Sequence, residues 1–275
     1  MSAATAPSKG APSLHIHDAR LSYAGLTVFD GLSLDVAAGR TTCLLGASGV
    51  GKSSLLRLIA GLGPSAENGG RGTAEAAETL TAAVTAGDGA PLAGRLAWMG
   101  QTDLLLPWLS ARDNAALGFR LRGEAAPLAA ARGRATALLR AFGLGTRLDS
   151  PPDALSGGMR QRVALARTLV EDRPVVLMDE PFGQLDALTR LRLQDLAASH
   201  LAGRTVLLVT HDPLEAARLG DEILMMAGAP ATVERVAIPA DAAPTPRAAD
   251  ADATLALQAA LLRRLAARHP LGEAA

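Results

Sequence analysis

Eight consecutive residues, Gly46-Ala47-Ser48-Gly49-Val50-Gly51-Lys52-Ser53, satisfy the pattern G-x-x-x-x-G-K-[ST] at every fixed position. Glycines let a backbone bend until several N–H groups converge on one anion, and a helix N-terminus directly after them adds partial positive charge. From this position Lys52 can reach the β- and γ-phosphates of a nucleotide, Ser53 offers its hydroxyl to Mg²⁺, and Ser54 follows in the first turn of the expected helix. The stretch is built to bind a nucleoside triphosphate. Lys9 and Lys52 are the only lysines in an arginine-rich chain, and a lysine kept here suits a point charge on phosphate.

Three other places carry candidate chemistry. Pro174-Val175-Val176-Leu177-Met178-Asp179-Glu180-Pro181 reads as a buried strand ending in two carboxylates. Ligands of parallel α/β sheets collect at that edge, where Asp179 can bind Mg²⁺ and Glu180 can polarise an attacking water. In Leu155-Ser156-Gly157-Gly158-Met159-Arg160-Gln161-Arg162, Ser156 is an expected N-cap, and Gly157 and Gly158 permit close backbone approach, so a second helix N-terminus is prepared for an anion. His211 stands just past an apolar strand, in reach of a γ-phosphate or simply in a solvated loop. Tyr23, the only tyrosine, either stacks on a base or packs in the core.

The surrounding patterns supply the elements that must position these groups. Thr41–Leu45 and the apolar helical spacing after Ser53 place the loop between a strand and a helix. Helix 187–201, strand 205–210, helix 213–219 and strand 222–226 alternate as a parallel sheet requires. Strands at 14–21, 32–36, 82–86 and 95–99, the last two joined through Gly87-Asp88-Gly89, are expected to form a small antiparallel sheet. Helical patterns cover 111–121, 127–142 and 159–170, in a part crowded with arginines. Residues 1–12 read as a disordered start, about 63–80 as a flexible Gly- and Ala-rich insertion, and 227–275 as an extension with one helix near 253–268.

Composition narrows the function classes. With 27 basic and 27 acidic residues the net charge is zero, so nothing recommends a nucleic-acid partner. The single cysteine, Cys43, reads as a small buried hydrophobe, and His15 and His17, two apart on one strand, as surface histidines rather than metal ligands. No apolar run approaches the roughly 18 residues needed to span a bilayer. The expectation is a chain that is soluble or held at a membrane by another subunit.

With the phosphate loop, Gln101, Leu155-Ser156-Gly157-Gly158, Asp179-Glu180, Asp186 and His211 in this order, residues 14–226 resemble the ATPase subunits of ABC transporters. The resemblance implies a RecA-like phosphate-loop NTPase core with a mainly parallel sheet, a small antiparallel β subdomain and a helical subdomain at about 102–170. It implies that Tyr23 lies on adenine and that Gly46, Ala47, Ser48, Gly49, Val50, Gly51, Lys52, Ser53 and Ser54 hold ATP. Gln101 would link the γ-phosphate and its Mg²⁺ to a membrane partner. Ser156, Gly157 and Gly158 would complete the ATP site of a second copy, Glu180 would be the general base, Asp186 would lie at the dimer seam and His211 would steady the γ-phosphate. Met159 and Gln184 depart from the family pattern, which more often has glutamine and a small residue there.

The implied partners are transmembrane permease subunits, a second copy of the chain and, through the permease, a periplasmic or extracellular solute-binding protein. The implied place is peripheral, on the cytoplasmic face of the inner (plasma) membrane. Segments 104–114 and 182–190 look like the nitrate, sulfonate and taurine importer branch, and Asp103-Leu104-Leu105-Leu106-Pro107-Trp108 is similar to importers of the thiamine precursor hydroxymethylpyrimidine. The rival reading is a soluble ABC-type regulatory ATPase without a permease, although such proteins usually join two cassettes or carry long coiled coils and this chain has neither pattern.

Overall fold

The computed structural model describes residues 10–23, 25–62, 77–123, 125–240 and 242–268. Its frame is set by short apolar runs that must be buried on both faces. Strand β3 (Thr41–Leu45) lies between β7 (Thr205–Thr210) and β8 (Glu222–Gly228) in a six-stranded sheet of order β5-β6-β7-β3-β8-β9. Strands β5 (Leu96–Met99), β6 (Val175–Asp179), β7, β3 and β8 are mutually parallel, while β9 (Ala231–Val236) closes the sheet antiparallel to β8. Leu45 stands beside Thr210 and Asp179 beside Val209, so β3, β6 and β7 deliver their C-terminal residues to one edge.

Alternation along these strands sorts the core into two layers. Leu44, Leu177, Leu207 and Val209 face a layer made by α1 (Lys52–Ile59) and a three-stranded antiparallel sheet of order β2-β1-β4. That sheet comprises β1 (Leu14–Tyr23), β2 (Leu26–Val36) and β4 (Ala77–Ala86), with Leu14, Ile16, Leu21 and Phe29 buried. Cys43, Leu45, Val176, Met178 and Leu208 face the helical layer. It contains α2 (Ala111–Ala115), α3 (Leu117–Leu121), α4 (Ala125–Ala141), α5 (Gly157–Val170), α6 (Ala187–Leu201), α7 (Pro213–Leu219) and α8 (Asp252–Arg268). Ser110, Ser156, Asp186 and Asp212 cap α2, α5, α6 and α7 by accepting from backbone N–H groups, each cap contributing about 1 kcal/mol.

Five details differ from the sequence expectation, beginning with β2, which starts at Leu26 instead of Leu32. The 95–99 strand does not join the small antiparallel sheet; β5 pairs in parallel with β6, Leu96 beside Val175, because Ala97 and Met99 pack into the helical layer while Leu96 and Trp98 pack on the opposite one. Strand β4 alone joins that sheet and starts at Ala77 instead of residue 82, while residues 63–76 of the expected insertion lie outside the described residues. The helix expected over 111–121 breaks at Ala116 into α2 and α3. The chain after 226 adds β9 to the main sheet, in addition to the helix expected near 253–268, which is α8 and buries Thr254, Leu257 and Leu261.

Behind β7 a polar group is enclosed. Glu215 on α7 is 3% exposed; its Oε2 accepts from Gln194 Nε2 at 3.4 Å and its Oε1 has no partner. Burial, reinforced by the nearby Asp212 carboxylate, pushes the Glu215 carboxyl from 4.5 up to about 8, against the opposing pull of Thr210, Arg190 and Gln194. A pKa raised on folding contributes stability that is complete below the unfolded value and lost as pH climbs from there through about 8. Glu215→Gln, which fixes the neutral form, should therefore raise the melting temperature relative to wild type far more at pH 9 than at pH 5. Thermal denaturation at both pH values checks this, and an equal difference at the two would refute it.

Candidate active site

The phosphate loop emerges from β3 in a shape that its glycines make possible. Gly49 and Gly51 have φ of 82° and 105°, and a Cβ on Gly51 would stand 2.6 Å from Val28 Cγ1. A Cβ on Gly46 would meet the Met226 carbonyl oxygen at 2.5 Å. The loop feeds directly into α1, whose N-terminus has no side-chain cap, so its first N–H groups are left for a ligand. Lys52 is 5% exposed, and its Nζ donates to the carbonyls of Gly46 at 2.9 Å and Ala47 at 2.7 Å. Burial lowers its pKa, while the charges of Glu180 and Asp179 hold it up.

Asp179, the last residue of β6, is 3% exposed and shares a hydrogen bond with the Ser53 side chain. Burial raises its pKa first of all; the Ser53 bond opposes this and the Glu180 charge adds to it. Its Oδ1 is buried without a hydrogen-bond partner. A buried carboxylate oxygen with a free lone pair beside a hydroxyl is the hard oxygen donor set that Mg²⁺ takes, so these two residues fit that ion.

Glu180 turns the chain with φ of 48°, a left-handed conformation that costs a non-glycine residue about 1–3 kcal/mol. Three bonds hold it there. Its N–H donates to the Val209 carbonyl at 2.9 Å, and its carbonyl accepts from Gly183 N–H at 3.2 Å and from Gln161 Nε2 at 3.1 Å. The turn aims the side chain at His211, whose Nδ1 lies 2.9 Å from Glu180 Oε1. Arg190 joins the neighbouring loops by donating to Asp212 Oδ2 and the Leu185 carbonyl, at 3.1 and 3.0 Å.

Lys52, Ser53, Gln101, Asp179 and Glu180 line one cleft of about 240 Å³, with Trp98 on its wall. Ser48, Gly49, Gly51 and Ser54 line it too, whereas Gly46, Ala47 and Val50 of the same loop do not, and His211 is joined to it through its bond to Glu180. Tyr23 closes β1 opposite Leu26, but its side chain lies outside the described residues. Ser156, Gly157 and Gly158 do not line the cleft. Ser156 caps α5, and the two glycines lie on Gln184: a Cβ on Gly157 would be 3.1 Å from Gln184 Oε1, and one on Gly158 would be 3.2 Å from its carbonyl. Asp186, expected at a dimer seam, caps α6 within its own chain by accepting from Thr189 N–H at 3.0 Å.

Sequence reasoning overlooked Gln161, Trp98 and Arg190. Gln161 is the one the sequence could have flagged, as a polar residue on the inward face of α5. Elsewhere, His15 bonds Asp35 at 2.7 Å and lies parallel to His17, and among the described residues no group of three potential metal ligands occurs. Cys43 is fully buried, which pushes its thiol pKa well up.

A phosphate-binding loop between strand and helix, with two carboxylates and a histidine along the same sheet edge, defines a phosphate-loop nucleotide-binding enzyme. Residues 29–183 match the ABC transporter family. The chain is 38% identical over 257 residues to the aliphatic sulfonates import ATP-binding protein SsuB of Delftia acidovorans, covering 93% of this chain and 95% of that one. It is 41% identical over 273 residues to SsuB of Cupriavidus necator, covering 98% and 82%. A solved structure of an ATP-binding subunit of an ABC transporter superposes with a TM-score of 0.62 at 26% identity, covering 77% of this chain and 85% of the other. The chain belongs to the ABC transporter family as an ATP-binding subunit, and is an ATPase.

Lys52→Ala deletes the buried charge of the cleft, which is expected to bind phosphate. ATP affinity is expected to fall about a hundredfold, the scale of one or two hydrogen bonds to a charged group, in a titration with a fluorescent ATP analogue. Unchanged affinity would remove Lys52 from the site.

Proposed function

We propose that this ATPase energises import of a small solute through a separate membrane permease, and that the solute is an aliphatic sulfonate. The cargo follows the names of two relatives that align with nearly the whole chain, in place of the hydroxymethylpyrimidine suggested by the Asp103–Trp108 phrase. Among the described residues no helix is long and apolar enough to cross a membrane, which suits a subunit docked on a permease at the cytoplasmic face of the inner membrane. A solute-binding protein would deliver cargo from the other side.

The observation that carries the mechanism is the separation of the two anion-binding helix N-termini. Lys52 and Ser53 belong to the cleft with Asp179 and Glu180, whereas Ser156-Gly157-Gly158 does not. Two copies arranged head to tail would place each Ser156-Gly157-Gly158 on the nucleotide held by the other copy, with Asp186 near the seam. In each site the loop N–H groups and Lys52 bind the β- and γ-phosphates, and Tyr23 covers the base. Ser53 and Asp179 would hold Mg²⁺, aided by Gln101; when bound, that ion neutralises charge developing on the transferred phosphoryl group. Glu180 accepts a proton from the attacking water, and His211, bonded to Glu180 Oε1, keeps that carboxylate facing the γ-phosphate. Hydrolysis and release reopen the pair and reset the permease.

Glu180→Gln keeps the shape of the side chain and removes its basicity. Reconstituted with its permease in vesicles, the variant should bind ATP normally, accumulate as an ATP-closed dimer and lose at least about a hundredfold in turnover. Wild-type turnover would sink the assignment of the base. Uptake of a labelled alkanesulfonate into the same vesicles tests the cargo, with hydroxymethylpyrimidine as the competing solute.

A further inference from the structure

The helix that follows Ser156 and the turn that carries Glu180 are joined by the hydrogen bonds of one buried side chain. Gln161, on the inward face of α5 and 6% exposed, donates from Nε2 to the Glu180 carbonyl at 3.1 Å and accepts on Oε1 from Gln184 N–H at 2.9 Å. Both ends of its amide are spent on the segment 180–184. One end supports the left-handed peptide that aims Glu180, and the other holds Gln184 where its side chain and carbonyl lie against Gly157 and Gly158. The other hydrogen bond to the Glu180 carbonyl comes from the Gly183 N–H of the same turn, so the bond from Gln161 is the one that ties this carbonyl to α5.

We infer that Gln161 is the positioning residue through which the nucleotide on one copy's Ser156-Gly157-Gly158 adjusts the catalytic glutamate of the other site. This inference rests on the two-copy reading above. In that arrangement α5 reports on the partner's nucleotide while Glu180 serves the chain's own. A nucleotide drawing the N-terminus of α5 toward itself shifts Gln161, which pulls on the Glu180 carbonyl and thus on a peptide already held in an unfavourable conformation. The movement needed is small, because the left-handed region is narrow and the carboxylate must stay on His211 and the water. Arg160, bonded to Asp103 at 2.9 Å, and Arg167, bonded to the Asp103 and Leu104 carbonyls at 2.6 and 2.9 Å, tie the same helix to the segment after Gln101, so α5 also senses that side of the cleft. Gln161 itself touches neither nucleotide.

The test uses Gln161→Met, which keeps length and bulk but cannot bond either group, in the complex with the permease. The expected result is a fall of about tenfold in kcat, the kinetic equivalent of one lost hydrogen bond, with KM for ATP changed less than about twofold and the Hill coefficient for ATP reduced to one. Binding of a fluorescent ATP analogue to the isolated subunit should be unchanged, a split that general loss of structure would not produce. If the methionine variant does not fold, Gln161→Glu, which keeps the acceptor for Gln184 N–H and loses the donor to Glu180, is expected to give the same loss of cooperativity. A folded variant that retains wild-type kcat and Hill coefficient overturns the inference while leaving the two-copy reading intact. A wild-type complex with a Hill coefficient of one, and no ATP-dependent dimer of the Glu180→Gln subunit, overturns both.

Discussion

Everything at the nucleotide edge depends on keeping opposite charges buried together. Lys52, at 5% exposure, and Asp179, at 3%, are ionisable groups withdrawn from water at the end of an apolar sheet. Burial opposes the charged form of each; the Lys52–Asp179 attraction opposes that burial at both groups, helped at Lys52 by the Glu180 charge and at Asp179 by the Ser53 hydrogen bond, while Glu180 works against the Asp179 charge. The sheet order makes this possible: β7 separates β3 from β6, so the loop carrying Lys52 and the turn carrying Asp179 meet across the end of a strand whose continuation supplies His211. A polyphosphate with its cation fits this balance because it offers negative charge to Lys52 and a positive centre to the orphaned Asp179 oxygen.

The backbone around the site is held with matching care. Glu180 occupies a conformation its residue type disfavours, and the three hydrogen bonds on its peptide come from β7, from the following turn and from α5. Those sources belong to different layers of the molecule, so a displacement of either the sheet or the helical layer is felt at the same carboxylate. Arg190 makes a comparable tie between the turn before α6 and the one before α7. The catalytic edge is therefore cross-braced rather than a set of independent loops.

Much of this was legible in the sequence. The bounds of β7, α6 and α7 coincide with those read from apolar patterning, because each run is terminated by a residue with a physical stop signal: Asp186 and Asp212 as caps, Gly203 and Gly220 as breaks. The phosphate loop was legible because its glycines answer to local geometry. Strand β5 was misplaced because four apolar residues after a Gly-rich turn suit an antiparallel return as well as a buried parallel strand, and only the packing of Ala97 and Met99 decides. Strand β9 was missed because Ala231-Thr232-Val233-Glu234-Arg235-Val236 hides a half-exposed edge strand in an Ala- and Pro-rich region. The bonds of Gln161 join residues distant in the chain, and no local pattern encodes them.

The two borders of the main sheet show how the molecule avoids a hazard. Its apolar, fully buried strands lie inside, while one border is the four-residue β5 and the other is β9, whose Glu234 is paired with Arg264 at 3.7 Å and Arg268 at 2.5 Å on α8. A short strand on one side and a charged, helix-tethered strand on the other offer poor templates for backbone pairing with a stranger. Self-association is steered away from ribbon-like growth along the sheet. In the proposed two-copy cycle, closing those borders leaves the ligand itself as the adhesive, so contact can be made and broken by chemistry instead of by unfolding.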